Sequence, residues 1–426
     1  MKLYNTMNKQ LLFVLLCLPI ASFAQTVNTG VVSISADTQF STVSDLDNKP
    51  GASFVNDGEA FIYAHFNNDG LVDFSNGEEG LTRFEGSAVQ QLTGGNISYF
   101  YNVLFDNSSS DTSSFELSSE ISIANEADFN EGIVKNDDFG GLVIFEDDAY
   151  HRGVYDGSHV DGHVEKDGDD DFVYPIGDKQ LFRFAAISAP DNLGDAFTAK
   201  YYFENPVGLT INGETPTASV AGVITLLDNA EFWTVTRDAG TSDILLTLSW
   251  EEGSTTPNEV VMNPQSSIHI ARWDEAQQLW VDEGGVVDVD NKTVTTPLRL
   301  EDYGIFTLAR VNEGIILDGD VVIYNGVTPN GDGRNDFFFI DGIENLANNR
   351  VEIFNRWGVE VYATDDYGTN AGGNVFEGYS DGRLTIAGDN QLPTGTYYYV
   401  LSYDYSNNGS TNRVKKAGFL YLTTED

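Results

Sequence analysis

Short apolar runs separated by turn-forming polar residues mark the first part of the chain. From residue 25 to residue 171, runs such as 61–66 and 142–145 alternate with Asn, Asp, Gly and Ser. Comparable runs recur at roughly twenty residues, the spacing at which each coil of a solenoid buries its inner face against its neighbours. The pattern favours a β-solenoid-like repeat region over residues 25–171, with an irregular β-sandwich as the alternative.

Longer strands with clearer alternation follow over residues 172–313. Near the middle of this region, Leu246, Leu248 and Trp250 fall on one face of a strand, while Thr247 lies on the opposite face. Turn signals separate several such strands, and no segment with a helical period intervenes. These features predict a β-sandwich domain.

A further strand-rich unit is expected over residues 314–426. Its best strand spans residues 396–405, where Tyr397, Leu401 and Tyr403 share one face with two more tyrosines. A unit of this length with six or seven strands suits a compact immunoglobulin-like β-sandwich. The expected fold class is therefore all-β and multidomain.

Residues 1–24 have the features of a secretory signal peptide. Lys2 and Lys9 precede an apolar run over residues 11–20, and the small residue Ala24 ends the segment. This run is shorter than the roughly 20 residues that cross a bilayer, and no later stretch approaches that length. We therefore expect a secreted chain that is not transmembrane.

Composition narrows the partners and the chemistry. The chain holds 66 acidic and 22 basic residues, a formal charge of -44, so nucleic acid is an unfavourable partner. At 41% hydrophobic residues it has enough apolar surface to fold. Its single cysteine, Cys17, lies in the signal peptide, so the mature chain should contain no disulfide and no zinc-thiolate site.

Catalytic motifs are absent from the sequence, which contains no H-E-x-x-H, no G-x-S-x-G and no phosphate-binding loop. We therefore expect no enzymatic activity and no catalytic residues. His159, Asp161 and His163 alternate, so a strand would place them on one face, where they could hold a divalent metal. A polar solenoid face followed by an acidic turn is the simpler interpretation of that segment.

Four sequence blocks near the C terminus follow one another in a distinctive order. Residues 328–336 are TPNGDGRND, residues 351–358 are VEIFNRWG, residues 392–400 are LPTGTYYYV and residues 416–420 are KAGFL. Together they resemble the gliding-motility-associated C-terminal domain of Bacteroidetes surface proteins, over about residues 320–426. Four ordered blocks are a more specific signal than any single Gly-rich loop.

The resemblance implies that this domain is the type B sorting domain of the type IX secretion system. Its partners would be the secretion translocon and a PorP-like outer-membrane β-barrel. The protein would be secreted or held at the cell surface, associated with the outer membrane. The sequence departs from the family at Phe376, where relatives usually have Trp, and at its acidic terminus.

Two groups of residues in this domain are candidate sites. Positive residues are rare in so acidic a chain, so a folded export signal would offer its partner Arg356, Lys415 and Lys416, with Trp357 beside Arg356. A folding role, with Trp357 in the core and Arg356 paired inside the domain, is the equally open alternative for those two residues. A second group clusters oxygen ligands around two glycines, as a calcium loop does, although capping of turns by Asn and Asp is the more common use. That possible calcium site comprises Asn330, Asp332, Asn335 and Asp336.

The leading hypothesis is a secreted, non-enzymatic surface protein whose last domain serves in sorting and anchoring. An alternative is an adhesin that binds glycans or surfaces, suggested by Tyr99, Phe100 and Tyr101 close to Asn96 in a turn-rich part of the solenoid. A third hypothesis is a secreted hydrolase, which would need a cleft acid with a raised pKa.

Overall fold

The structure, a computed structural model, describes most of the chain from residue 25 to residue 424. Outside the description lie residues 1–24, 78, 110–112, 221–223, 265–266, 312–320, 332, 357, 369–373, 381–390, 408–409 and 425–426, and the remaining side chains of 405–412. The predicted signal peptide therefore falls outside the described residues. Over the described part the fold is all-β, as predicted, with a single-turn 3-10 helix at Ile343–Asn345.

The N-terminal region is a parallel β-solenoid, as predicted. Each strand pairs in parallel with the equivalent strand of the next coil, and the coils present three faces to solvent. In chain order the strands are β1 (Thr26–Asn28), β2 (Val31–Ile34), β3 (Gln39–Thr42), β4 (Leu46–Asn48), β5 (Ser53–Asn56), β6 (Glu59–Ile62), β7 (Phe66–Asn68), β8 (Leu71–Asp73), β9 (Leu81–Gly86), β10 (Gln90–Thr93), β11 (Ser98–Asn107), β12 (Phe115–Leu117), β13 (Glu120–Glu131), β14 (Val134–Lys135), β15 (Leu142–Phe145), β16 (Tyr150–Arg152), β17 (Val160–Asp161) and β18 (Val164–Asp167).

Stacked like residues hold the coils in register. Inside the solenoid, Phe105 stacks on Phe84 and Phe129, with ring centroids 6.0 and 5.3 Å apart, and all three rings are fully buried. Buried asparagines at the ends of β1, β4 and β7 form a ladder in which each amide donates to the next side chain at 2.9 Å. Repetition of one residue type at one position thus satisfies the polar groups that a coil corner buries.

Two antiparallel sheets form most of the middle region. Its strands are β19 (Phe172–Val173), β20 (Ile176–Asp178), β21 (Leu181–Phe182), β22 (Ala185–Ile187), β23 (Ala196–Tyr202), β24 (Ile224–Leu227), β25 (Phe232–Ala239), β26 (Leu246–Ser249), β27 (Ile268–Asp274), β28 (Leu279–Asp282), β29 (Val286–Asp288), β30 (Thr293–Thr295) and β31 (Gly304–Val311). One sheet has the order β19-β22-β26-β30-β29, and β23, β25, β31, β27 and β28 pair in the other.

The solenoid and the middle region share one hydrophobic core. Strand β23 pairs antiparallel with β18, the last strand of the solenoid, so that Ala199 lies opposite Val164. Parallel pairing of the first solenoid face also continues from β17 to β20, past residue 171. A single cluster of buried side chains accordingly extends from Ile34 to Leu308.

The C-terminal region has a separate core. Its strands are β32 (Val322–Ile323), β33 (Gly326–Val327), β34 (Ile340–Asp341), β35 (Ala347–Phe354), β36 (Glu360–Asp365), β37 (Gly395–Asn407) and β38 (Ser410–Leu422). Five of them form a sheet in the order β33-β38-β37-β35-β36, while β32 and β34 pair apart from it. The buried cluster behind this sheet contains only side chains from residues 321 to 422.

Candidate docking surface

The hairpin of β37 and β38 dominates the C-terminal sheet. As the period-two pattern predicts, Tyr397, Tyr399, Leu401 and Tyr403 are buried on one face of β37. Leu420 of β38 packs in the same core. The alternate residues of both strands lie on the opposite, outer face, where Val400 and Ser402 are also buried and only part of the face is open to a partner.

Aromatic side chains cross the outer face of this sheet in one register row. Phe354 lies opposite Tyr398, and Tyr398 lies opposite Phe419. Tyr398 is 37% exposed and Phe419 is 57% exposed. Tyr421, two residues after Phe419, is 52% exposed. We call Phe354, Tyr398 and Phe419 the aromatic row. Phe354 is half-buried, and the exposed Tyr398 and Phe419 beside it form an apolar patch of the kind that marks an interaction site.

Charged side chains occupy the outer face beyond the aromatic row. Arg413 lies 3.1 Å from Asp404 and also donates to the Ser402 hydroxyl. Hydrogen bonds from Asn348 and Arg413 lower the pKa of Asp404. Strand β38 itself carries three basic residues and no acidic one. The hairpin is therefore a locally basic element of a strongly acidic protein.

The predicted docking residues do not form one patch. Arg356 is exposed in the turn after β35, close to the aromatic row, and Trp357 lies outside the described residues. Lys415 lies on the outer face, with its Nζ atom 3.8 Å from a carboxylate oxygen of the buried Glu283 of the middle region. Lys416 pairs across from Leu401 and so points to the opposite face. Adjacent residues of a strand project to opposite sides, which is why the two lysines separate.

Register also places Lys415 away from Arg356. Lys415 pairs with Ser402, which pairs with Arg350, four residues before Phe354. Four residues of strand span about 13 Å. The row and the basic end of the hairpin are thus two neighbouring zones of one outer face.

The predicted calcium loop is held by its own hydrogen bonds. Both carboxylate oxygens of Asp336 accept backbone N–H groups, from Gly331 at 2.6 Å and from Gly333 at 2.8 Å. Asn335 adopts a left-handed conformation with φ of 54°, and its carbonyl accepts from the Thr328 N–H at 2.6 Å. These contacts match the turn-capping interpretation.

Two predicted ligands of this loop remain, Asn330 and Asp332. The Asn330 N–H donates to the Thr328 carbonyl at 2.8 Å, which closes a tight turn at the start of the loop. Asp332 lies outside the described residues. Calcium binding stays a prediction.

The alternating histidine segment is largely buried. His159 is fully buried, its Nδ1 atom lies 3.1 Å from the Tyr155 carbonyl, and burial lowers its pKa to about 4. Burial raises the pKa of Asp161 to about 6 and lowers that of His163. Gly162, with φ of 144°, ends β17 after two residues, so the three side chains do not share the face of one strand.

A different acidic group lies close by at the surface. Carboxylate oxygens of Asp147, Asp148 and Asp170 lie within 4.8 Å of one another. The Lys166 ammonium lies 2.6 Å from Asp170 and already supplies positive charge there. This group is an ion-paired acidic corner of the solenoid.

The three consecutive aromatic residues of the solenoid, 99–101, do not share one exposed surface. Tyr99 is 39% exposed, Phe100 is buried, and Tyr101 packs edge to face on Phe74. Tyr99 lines a shallow hollow on the solenoid surface together with Asn96, as well as Asp69 and Leu71. The Asn96 amide donates to two carbonyls at 2.8 Å, which fixes its orientation at the rim.

Sequence reasoning from positive charge missed the aromatic row. The sequence pattern of β38 did indicate the row, because Phe419 and Tyr421 alternate with the buried Leu420 and Leu422. An apolar residue on both faces of one strand is unusual where one face meets water. That pattern predicts a covered outer face.

Comparison with protein families gives one match. Residues 321–422 match the family described as the CHU_C Type IX secretion signal domain, which confirms the resemblance found in the sequence blocks. Neither curated proteins nor solved structures provide a match. Among the residues described, no helix has the length and apolar character required to span a membrane.

Proposed function

We propose that this protein is cargo of the type IX secretion system, with residues 321–422 as the address that the export machinery recognises. The match of this segment to a type IX secretion signal domain carries the proposal. Its separate hydrophobic core supports it, because an address recognised in folded form needs its own stable shape. The exported chain is retained at the outer surface or released, and a PorP-like barrel is the proposed outer-membrane partner.

We infer that residues 321–422 fold as an immunoglobulin-like sandwich. The five-stranded sheet supplies one layer, and Phe338, Ile340 and Ile343 pack against its inner face from outside that sheet. In the middle region, side chains from two antiparallel sheets share one core, which supports the expected β-sandwich there.

The aromatic row is the proposed contact for the export machinery. Aromatic side chains bury a large apolar area at little conformational cost, and binding energy concentrates in such residues. Arg356 in the adjoining turn adds a charged contact that can be bidentate. Nearby basic residues would favour a partner with an acidic rim.

The test is export of a fluorescent reporter that carries a signal peptide and residues 321–426 of this chain. We expect Tyr398→Ser combined with Phe419→Ser to reduce the exported fraction at least tenfold, because the row loses two of its three rings. Tyr379→Ser is the matched control, since this tyrosine is 43% exposed and lies outside the strands of the sheet. Export of the double variant at the control level would refute the role of the row.

A second candidate function for the outer regions is glycan binding by the solenoid. The exposed Tyr99 beside Asn96 supports it, because an aromatic ring and an oriented amide are the groups that bind a sugar ring. A glycan array on the wild type and on Tyr99→Ala tests this role, and equal signals for both proteins would exclude this site.

No enzymatic activity is proposed, and a broad hydrolase screen checks that proposal.

A further inference from the structure

The first coil of the solenoid leaves three strand edges open. Strands β1, β2 and β3 each pair only with the equivalent strand of the second coil, among the residues that the structure describes. A solenoid normally closes such an end with a capping element, because open edges and the end of the core otherwise face water.

Hydrogen-bond direction identifies the backbone groups at these edges. The carbonyls of Asn28, Gly30, Ile34, Thr38 and Thr42 all accept from the second coil. All are even-numbered, and in a parallel strand the N–H and C=O of alternate residues point to opposite neighbours. The outward groups therefore belong to the odd-numbered residues of the three strands, which are Val27, Val31, Ser33, Gln39 and Ser41.

The side chains at this end lack the usual protection of an edge strand. Val27, Val31 and Val43 are 45%, 77% and 83% exposed. Asp37 is the only charged residue from residue 25 to residue 44, although 21% of the whole chain is charged. Proteins keep open edges apart with lysines or other charges, and the three edge strands carry none. The composition suits a surface that becomes covered.

A glycine of the first coil also leaves room for a neighbouring coil that the described part of the chain does not supply. In the corner motif Asn-x-Gly, the glycine N–H donates to the asparagine side chain at Gly30, Gly58 and Gly70. A Cβ atom at Gly58 or Gly70 would lie 2.4 or 2.5 Å from a carbonyl oxygen of the preceding coil, whereas at Gly30 it would meet nothing within 4 Å. Gly30 therefore leaves space for another coil to approach the backbone closely.

The opposite end of the solenoid is already covered. Strand β23 of the middle region pairs along β18, so one molecule cannot stack its first coil on the last coil of another. Through the open solenoid edges, two copies therefore meet first coil to first coil, about a twofold axis that closes at the dimer. The near absence of charge also limits the repulsion between two copies of so acidic a chain at this surface.

We propose that two copies of this chain dimerise head to head through the first coil of the solenoid. Edge strands of the two molecules then pair in antiparallel fashion and cover the three valines. A second copy is the partner best matched to the edge, because it presents the same strands and the same nearly uncharged surface.

The test is the molar mass of the mature chain from residue 25, by sedimentation equilibrium across roughly 0.1 to 100 µM, the range of ordinary protein contacts. We expect a dimer whose dissociation constant lies in that range. Val31→Lys combined with Val43→Lys should weaken it at least a hundredfold, because like charges then meet across the twofold axis. Leu193→Lys is the control, since Leu193 is 62% exposed in the middle region.

A second variant tests the same contact without charge. Gly30→Ala should weaken the dimer at least tenfold, because the added methyl group prevents close approach. Gly194→Ala is its control, since a Cβ atom there also meets nothing within 4 Å. Thermal melting confirms that each variant is folded. A monomeric wild type over the whole range, or a dimer that persists unchanged in both variants, would overturn the proposal.

Discussion

Replacement of Asn48 by alanine tests the polar ladder that sets the register of the first coils. The Asn48 side chain is fully buried, accepts from Asn28 and donates to Asn68 and to the Leu71 carbonyl, each at 2.9 Å. Each neutral hydrogen bond contributes about 1 kcal/mol, and a buried group left unpaired costs about 1 to 3 kcal/mol. Asn28 and Asn68 retain other partners, so we expect a loss of about 3 kcal/mol.

The assay is thermal unfolding of the mature chain followed by circular dichroism. A loss of this size lowers the melting temperature by about 5 to 10 °C in a unit of this length. Asn130→Ala is the matched control, because its amide makes one exposed hydrogen bond, to Asp106 at 2.9 Å. A shift for Asn48→Ala no larger than that of the control would show that the ladder does not stabilise the coils.

Three further predictions concern the core, a buried acid pair and the Asp336 loop. Phe105→Ala should cost about 3 to 5 kcal/mol in urea unfolding, because a fully buried ring is lost. Burial and the charge of Glu231 raise the pKa of Asp228. Protonation of Asp228 therefore stabilises the folded state in acid, and this contribution to stability is lost as pH rises. Asp228→Asn should therefore stabilise the protein more at pH 8 than at pH 4 in melting experiments. Turn capping of the Asp336 loop predicts that a calcium chelator leaves the melting temperature unchanged, because the Asp336 carboxylate already accepts two backbone amides, whereas calcium binding predicts a decrease.

Local periodicity made much of the fold predictable. Coil spacing near twenty residues indicated the solenoid, since each coil repeats the same burial problem. Alternation in β37 identified its buried face, including Tyr397 and Leu401, because successive side chains of a strand point to opposite sides. Both inferences need only residues close together in sequence.

Contacts between distant residues could not be inferred in the same way. The pairing of β18 with β23 joins the solenoid to the middle region and gives them one core, which no local pattern indicates. The histidine prediction assumed an unbroken strand, and Gly162 interrupts it. Prediction of the docking site followed charge, which placed Lys415 and Lys416 together although they face opposite sides.

Surface exposure in intact cells tests the central claim most directly. The full chain and a chain truncated after residue 320 are both expressed with residues 1–24, the predicted signal peptide, and intact cells are treated with proteinase K. We predict that the full chain is degraded or found in the medium, while the truncated chain stays protected in the periplasm until the outer membrane is permeabilised. Degradation of both chains to the same extent in intact cells would contradict the role of residues 321–422 as the export address.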